Sequence, residues 1–189
     1  MAQLPDWSAG PIVTDGAWSS VLRARGLAVG APAELANLTH ASLVEQLARD
    51  YAAAGARIIS TNTFAANALM LQQRGAAADV RELNLAGARL ARRAAGELAV
   101  AGVIGPTGRL LGIGEITDTS AGAALAEQAA ALAEGGVDML VLETFSELRE
   151  LLVAVEAVRG VTSLPLAACM SFDSGPQRTR TVMGAEAAE

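Results

Sequence analysis

The stretch Gly135-Gly136-Val137-Asp138-Met139-Leu140-Val141-Leu142-Glu143-Thr144 decides how this chain folds. Paired glycines are a stop signal for the helical pattern before them. Met139-Leu140-Val141-Leu142 is apolar throughout rather than alternating, as strands buried on both faces of a parallel sheet read. The run then ends abruptly on a carboxylate and a hydroxyl.

Working outward, four more runs have the same character: Pro11-Ile12-Val13-Thr14, Arg57-Ile58-Ile59-Ser60-Thr61, Val100-Ala101-Gly102-Val103-Ile104 and Pro165-Leu166-Ala167-Ala168-Cys169-Met170. Helical patterns lie between them. Residues 39–54 carry Leu43, Leu47 and Tyr51 on one stripe, with a capping box from Ser42 to Glu45 and a stop at Gly55. Residues 79–98 place Leu83, Leu90 and Ala94 on one face and Arg89, Arg92 and Arg93 elsewhere. Residues 118–134 stop at Gly135-Gly136, residues 146–159 stop at Gly160, and a shorter helix spans 67–74. Strand and helix alternate, and parallel strands joined by helices cross over right-handedly. The expected fold is α/β, a parallel (β/α) barrel of the TIM type.

That barrel is expected to be incomplete. A closed eight-stranded barrel takes about 250 residues; this chain has 189. About the first five β/α units are present, as a single domain over 1–189 that is truncated at its C-terminal side. The first and fifth strands would be open edges. The tail 178–189 reads as a loop followed by the start of another helix.

Composition narrows the function. Apolar residues are 52% and aromatics 3%, so the core is aliphatic. The net charge is -6 and every basic residue is Arg, which gives no reason to expect nucleic acid. No uninterrupted apolar run reaches the ~18 residues of a membrane span, and residues 1–10 do not read as a secretory signal. The single cysteine, Cys169, excludes an internal disulfide, so the cytoplasm is the default setting. Cys169 sits in an apolar run and reads as a small buried hydrophobe. The single histidine, His40, excludes a His-rich metal site and reads as a surface or cap residue.

Each apolar run is followed by polar or small residues: Asp15-Gly16, Thr61-Asn62-Thr63-Phe64, Gly105-Pro106-Thr107-Gly108, Glu143-Thr144, and Ser171-Phe172-Asp173-Ser174-Gly175. In parallel α/β folds these ends share one face, where active sites lie. Asp15-Gly16 suits a plain turn as well as a site. Asn62 suits satisfaction of backbone groups as well as ligand contact, and 105–108 suits a rigid turn. Glu143 enters a low-dielectric region directly after Val141-Leu142 and needs a cationic partner, a ligand or an Arg. There is no P-loop and no nucleophile elbow.

In order, Thr14-Asp15-Gly16-Ala17, Tyr51-Ala52-Ala53-Ala54-Gly55-Ala56 leading to Thr61-Asn62-Thr63-Phe64, then Gly105-Pro106, then Gly135-Gly136-Val137-Asp138 leading to Glu143-Thr144 resemble the homocysteine S-methyltransferase family. Met170-Ser171-Phe172-Asp173-Ser174-Gly175 is most similar to its branch related to cobalamin-dependent methionine synthase. The resemblance implies a (β/α)₈ barrel that transfers a methyl group to the thiol of homocysteine to give methionine. It implies substrate contacts at Asp15, Gly16, Asn62, Thr63, Glu143, Thr144 and Ser171, with Asp15 and Glu143 at the amino group. It also implies zinc held by three cysteine thiolates, which deprotonates the substrate thiol. Those cysteine ligands are absent from this chain, and Cys169 does not match one of them. Turnover is therefore expected only with the missing zinc-binding part supplied. The methyl donor is left open; methylcobalamin, methylfolate, betaine and S-methylmethionine all serve related proteins.

Two readings stand beside each other. One is a homocysteine methyltransferase completed by a second chain or by homo-oligomerisation. The other is a non-catalytic amino-acid-binding or assembly module that oligomerises through its open edges. A lyase or aldolase ranks last, because a chain without Lys has no Schiff-base chemistry.

Overall fold

In the computed structural model, which describes residues 2–30, 32–76 and 78–187, helices and strands alternate along the chain. The helices are α1 (Ser19–Ala24), α2 (Ala36–Thr39), α3 (Ala41–Ala53), α4 (Ala68–Gln73), α5 (Val80–Ala95), α6 (Asp118–Glu134) and α7 (Leu148–Val161). The strands are β1 (Ile58–Ser60), β2 (Ala99–Ile104), β3 (Met139–Phe145) and β4 (Leu166–Met170), forming a parallel sheet in the order β1-β2-β3-β4. This is the expected α/β architecture, a partly built barrel wall with helices on its outer side. No described helix is long and apolar enough to cross a membrane.

The apolar runs bury both faces, as their composition requires. Ile59, Val100, Ile104, Leu140 and Leu142 point outward into the core shared with α5, α6 and α7. Ile58, Ala99, Ala101 and Met139 point to the inner face, where Leu4 and Ile12 pack against them. Every residue of β2, flanked on both sides, is buried.

The paired glycines that follow α6 have separate tasks. A Cβ at Gly135 would collide with that of Ala88, so Gly135 permits α6 to approach α5. Gly136 takes φ 89°, the left-handed turn into β3. At the start of that strand, Asp138 is 1% exposed. Its Oδ1 accepts from the Ala2 N–H at 2.7 Å, and its Oδ2 from the Val100 N–H at 2.9 Å and from the Arg92 guanidinium. One carboxylate thus ties the N-terminal segment, β2, β3 and α5 together.

Several sequence expectations are corrected. Pro11-Ile12-Val13-Thr14 does not become a strand; it makes a single parallel bridge, Thr14 to Ile58. Pro11 has no N–H to donate, and Val13 is 64% exposed, so little burial rewards a longer ladder. Ser42 does not cap α3, which starts at Ala41 behind His40 with no side-chain cap. Gly160 lies inside α7 rather than ending it. The tail forms antiparallel bridges, Ser174 to Arg180 and Arg180 to Glu186, instead of beginning a helix. Cys169 is exposed because β4 has no strand on its far side among the described residues.

Candidate functional site

A cavity of about 470 Å³ opens at the C-terminal ends of the strands. Its lining comes from 14–19, from Glu34, from 60–64, from Val103 and from Glu143-Thr144. Of the predicted contacts, the fold brings Asp15, Gly16, Asn62, Thr63, Glu143 and Thr144 together here. Ser171 is not in this wall; its N–H is bonded to the Phe145 carbonyl at 2.8 Å. The 105–108 turn also lies outside it. Thr107 there is engaged by the buried Glu150 carboxylate, which accepts from its N–H at 2.7 Å and its hydroxyl at 2.6 Å.

Asp15 is placed by the bridge to β1, its N–H donating to the Ile58 carbonyl at 3.2 Å. Its Oδ2 accepts from the Ser60 N–H (2.7 Å) and Trp18 Nε1 (3.1 Å), and its Oδ1 from the Ser60 hydroxyl (2.7 Å). A carboxylate has about four acceptor positions, so one on Oδ1 stays free. Trp18 and Ser60 had not been singled out from the sequence. Ser60 was findable, because it shares the inward side of β1 with Ile58. Gly16 lets Tyr51 close over the turn: a Cβ there would lie 3.2 Å from the Tyr51 hydroxyl, which donates to the Ala17 carbonyl at 2.6 Å.

Glu143 owes its position to a break in β3. The register with β4 shifts between Leu142 and Phe145, and Thr144 takes φ 64°, a left-handed conformation that β-branched residues rarely hold. The extra residue lets Glu143 face the cavity while Phe145 returns to the outer core at 0% exposure. Such strain gathers where a side chain must be re-aimed for function. Glu143 stands at the open rim, and no described side chain is hydrogen-bonded or ion-paired to it.

Asn62 and Thr63 form part of the wall, and both are tied to the fold by side-chain hydrogen bonds. The Asn62 amide donates to the Ala33 carbonyl (2.9 Å) and Asn37 Oδ1 (3.2 Å). The Thr63 hydroxyl donates to the Val103 carbonyl at 2.7 Å. Behind them Asn37 donates to the Asn62 carbonyl at 2.8 Å and Gln128 to the Thr63 carbonyl at 2.6 Å. These buried amides hold the 61–64 turn in one shape.

Among the described residues, the charged groups of the lining are Asp15, Glu34 and Glu143, and no Arg side chain contributes. Burial pushes the Asp15 carboxyl above the usual range, against the lowering effect of its Ser60 and Trp18 bonds. Loss of surrounding water, and then the Asp15 charge, push Glu143 upward too. Since both folded values lie above the ordinary 3.8 and 4.5, the stability these groups supply is full below those values. It is lost as pH rises through the folded values. Thermal melts of Glu143→Gln and the unaltered protein should therefore coincide near about pH 4 and separate towards about pH 8, with the variant more stable. A separation independent of pH would contradict this.

Residues 12–189 match the family described as homocysteine S-methyltransferase. The methionine synthases of Mycobacterium tuberculosis and Mycobacterium leprae are each 33% identical to this chain over 129 residues, 65% of its length. The chain spans 11% of the length of either relative. The metallated form of the homocysteine methyltransferase MmuM from Escherichia coli superposes with a TM-score of 0.78 at 24% identity, over 93% of this chain and 67% of that one. Its oxidised form gives 0.75 at 25% identity, over 93% and 66%. The likeness to the metallated form establishes the fold alone.

Proposed function

Because the chain belongs to the homocysteine S-methyltransferase family, we propose that its cavity binds homocysteine by the amino end and takes part in methyl transfer to the thiol, giving methionine. The observation that carries this reading is the acidic lining, with no cation among its described residues: Asp15 and Glu143 face one cavity, and the pKa of each carboxyl is raised above its ordinary value. An ammonium group relieves that strained pair and gains charge-assisted hydrogen bonds. Asp15, held by Ser60 and Trp18, supplies a fixed acceptor, and Glu143 supplies a free one.

Thiol activation is a separate matter. A thiol titrates near about 8.5 in water, and an acidic cavity disfavours its anion further. Zinc, which the family implies, would supply the counter-charge when bound. The residues present do not fit it. The chain has one cysteine and one histidine. Among the described residues no group of three His, Cys, Asp or Glu side chains could hold a metal. The thiol-activating group in this reading comes from outside these 189 residues, on a segment or second chain that completes the barrel beside β4. The E. coli structure, of which this chain covers 67%, and the edge of β4, which has no partner strand among the described residues, support that arrangement. A single exposed cysteine with no disulfide is in keeping with a cytoplasmic setting.

The missing metal ligands favour one second reading, an amino-acid-binding module without turnover. Calorimetry with L-homocysteine and L-methionine, mass measurement in solution, and a thiol-methylation assay with zinc and each donor class separate the two. Binding with methyl transfer in a completed assembly supports the enzyme. Binding with no transfer in any assembly supports the module. No binding of either amino acid sinks both.

A further inference from the structure

Glu34 is 3% exposed, yet it belongs to the cavity wall. Its Oε1 accepts from the Ala65 N–H at 3.0 Å. Its Oε2 is buried and has no hydrogen-bond partner. Arg74 Nη1 makes a long ion pair with this oxygen at 4.0 Å, beyond hydrogen-bond reach, and Arg74 is not part of the lining. A buried carboxylate oxygen without a donor is costly, and native proteins keep few of them. The group is also locked in place. It sits in the 3-10 turn Ala33–Leu35, and the Asn62 amide grips that turn through the Ala33 carbonyl at 2.9 Å.

We propose that Glu34 is a third ligand-binding carboxylate, its Oε2 accepting a hydrogen bond from the primary ammonium of the bound amino acid. The inference rests on the amino-acid reading given under Proposed function. A primary ammonium has three N–H donors. Acceptors on the lining residues include the free position on Asp15 Oδ1, Glu143, and Glu34 Oε2. The class of ligand selected is thus an unmethylated α-amino acid, and N-alkylated amino acids are rejected for want of donors although they keep the charge. The competing account is structural, with Glu34 serving only to hold the 61–65 turn through Ala65.

Glu34→Gln separates these accounts, because the amide oxygen can still accept from Ala65. Affinities of L-methionine and N,N-dimethyl-L-methionine, which keeps its charge and one N–H, are measured by calorimetry for both proteins. The unaltered protein should prefer methionine, and the variant should lose about tenfold or more of that preference. An unchanged preference, even with both affinities lowered, overturns the proposal and leaves the amino-acid reading standing. Failure of the unaltered protein to bind methionine at all overturns both. Should the variant fail to fold by circular dichroism, N-methyl-L-methionine against the unaltered protein decides. About tenfold weaker binding than methionine supports three used donors, and equal binding overturns the proposal.

Discussion

Glu143→Gln is expected to weaken L-homocysteine binding by about tenfold to a hundredfold while raising the melting temperature of the ligand-free protein at neutral pH. The two effects have one cause. Glu143 is carried to the rim by a strained β-bulge, near the Asp15 charge and with no described side chain paired to it. In the empty cavity that charge is a cost, which an isosteric amide removes. In the occupied cavity the same charge faces the ligand's ammonium, and the amide forfeits the attraction. The gain in melting temperature should be roughly 2 °C, typical of a small change in a domain of this size. Calorimetry and thermal melts on the same preparation check both halves. Unchanged affinity would remove Glu143 from the site. Lower stability at neutral pH would mean that its carboxylate has a supporting partner in the fold.

Asp138→Ala should cost about 3–5 kcal/mol of folding free energy, the figure for removing one member of a buried ion pair. The substitution leaves the Val100 N–H buried without an acceptor and strips the Arg92 guanidinium of its carboxylate. It also releases the N-terminal segment at Ala2. Against a total of about 5–15 kcal/mol for a natural domain, that is a large share. A urea titration should show a much lower midpoint with little change in slope. Arg81→Ala, which breaks the surface pair with Glu134, is the control and should stay within about 0.5 kcal/mol. If the two variants unfold alike, Asp138 is not the tie that its contacts suggest.

The strand–helix alternation, the parallel sheet and the polar rim were legible from residue order, because each depends on local periodicity and on where an apolar run stops. Helix α6 falls on 118–134 as read, since Thr117 and Gly135-Gly136 mark its ends chemically. Asp15 and Glu143 were legible as carboxylates at strand ends. Tertiary structure alone decided what surrounds them. Ser60 grips Asp15 from 45 residues away, the Thr144 bulge re-aims Glu143, and Glu34 enters the wall from a turn with no periodic signal. Asn62 and Thr63, read as ligand contacts, direct their amide and hydroxyl donors to Ala33, Asn37 and Val103. Ser171 is not among the residues that line the cavity, and Cys169 is exposed because no described strand lies on the far side of β4. The physical reason is the same throughout. An apolar run reveals how a segment is buried, but hydrogen bonds between distant residues decide which polar groups remain free for a ligand, and those partners exist only once the chain has folded.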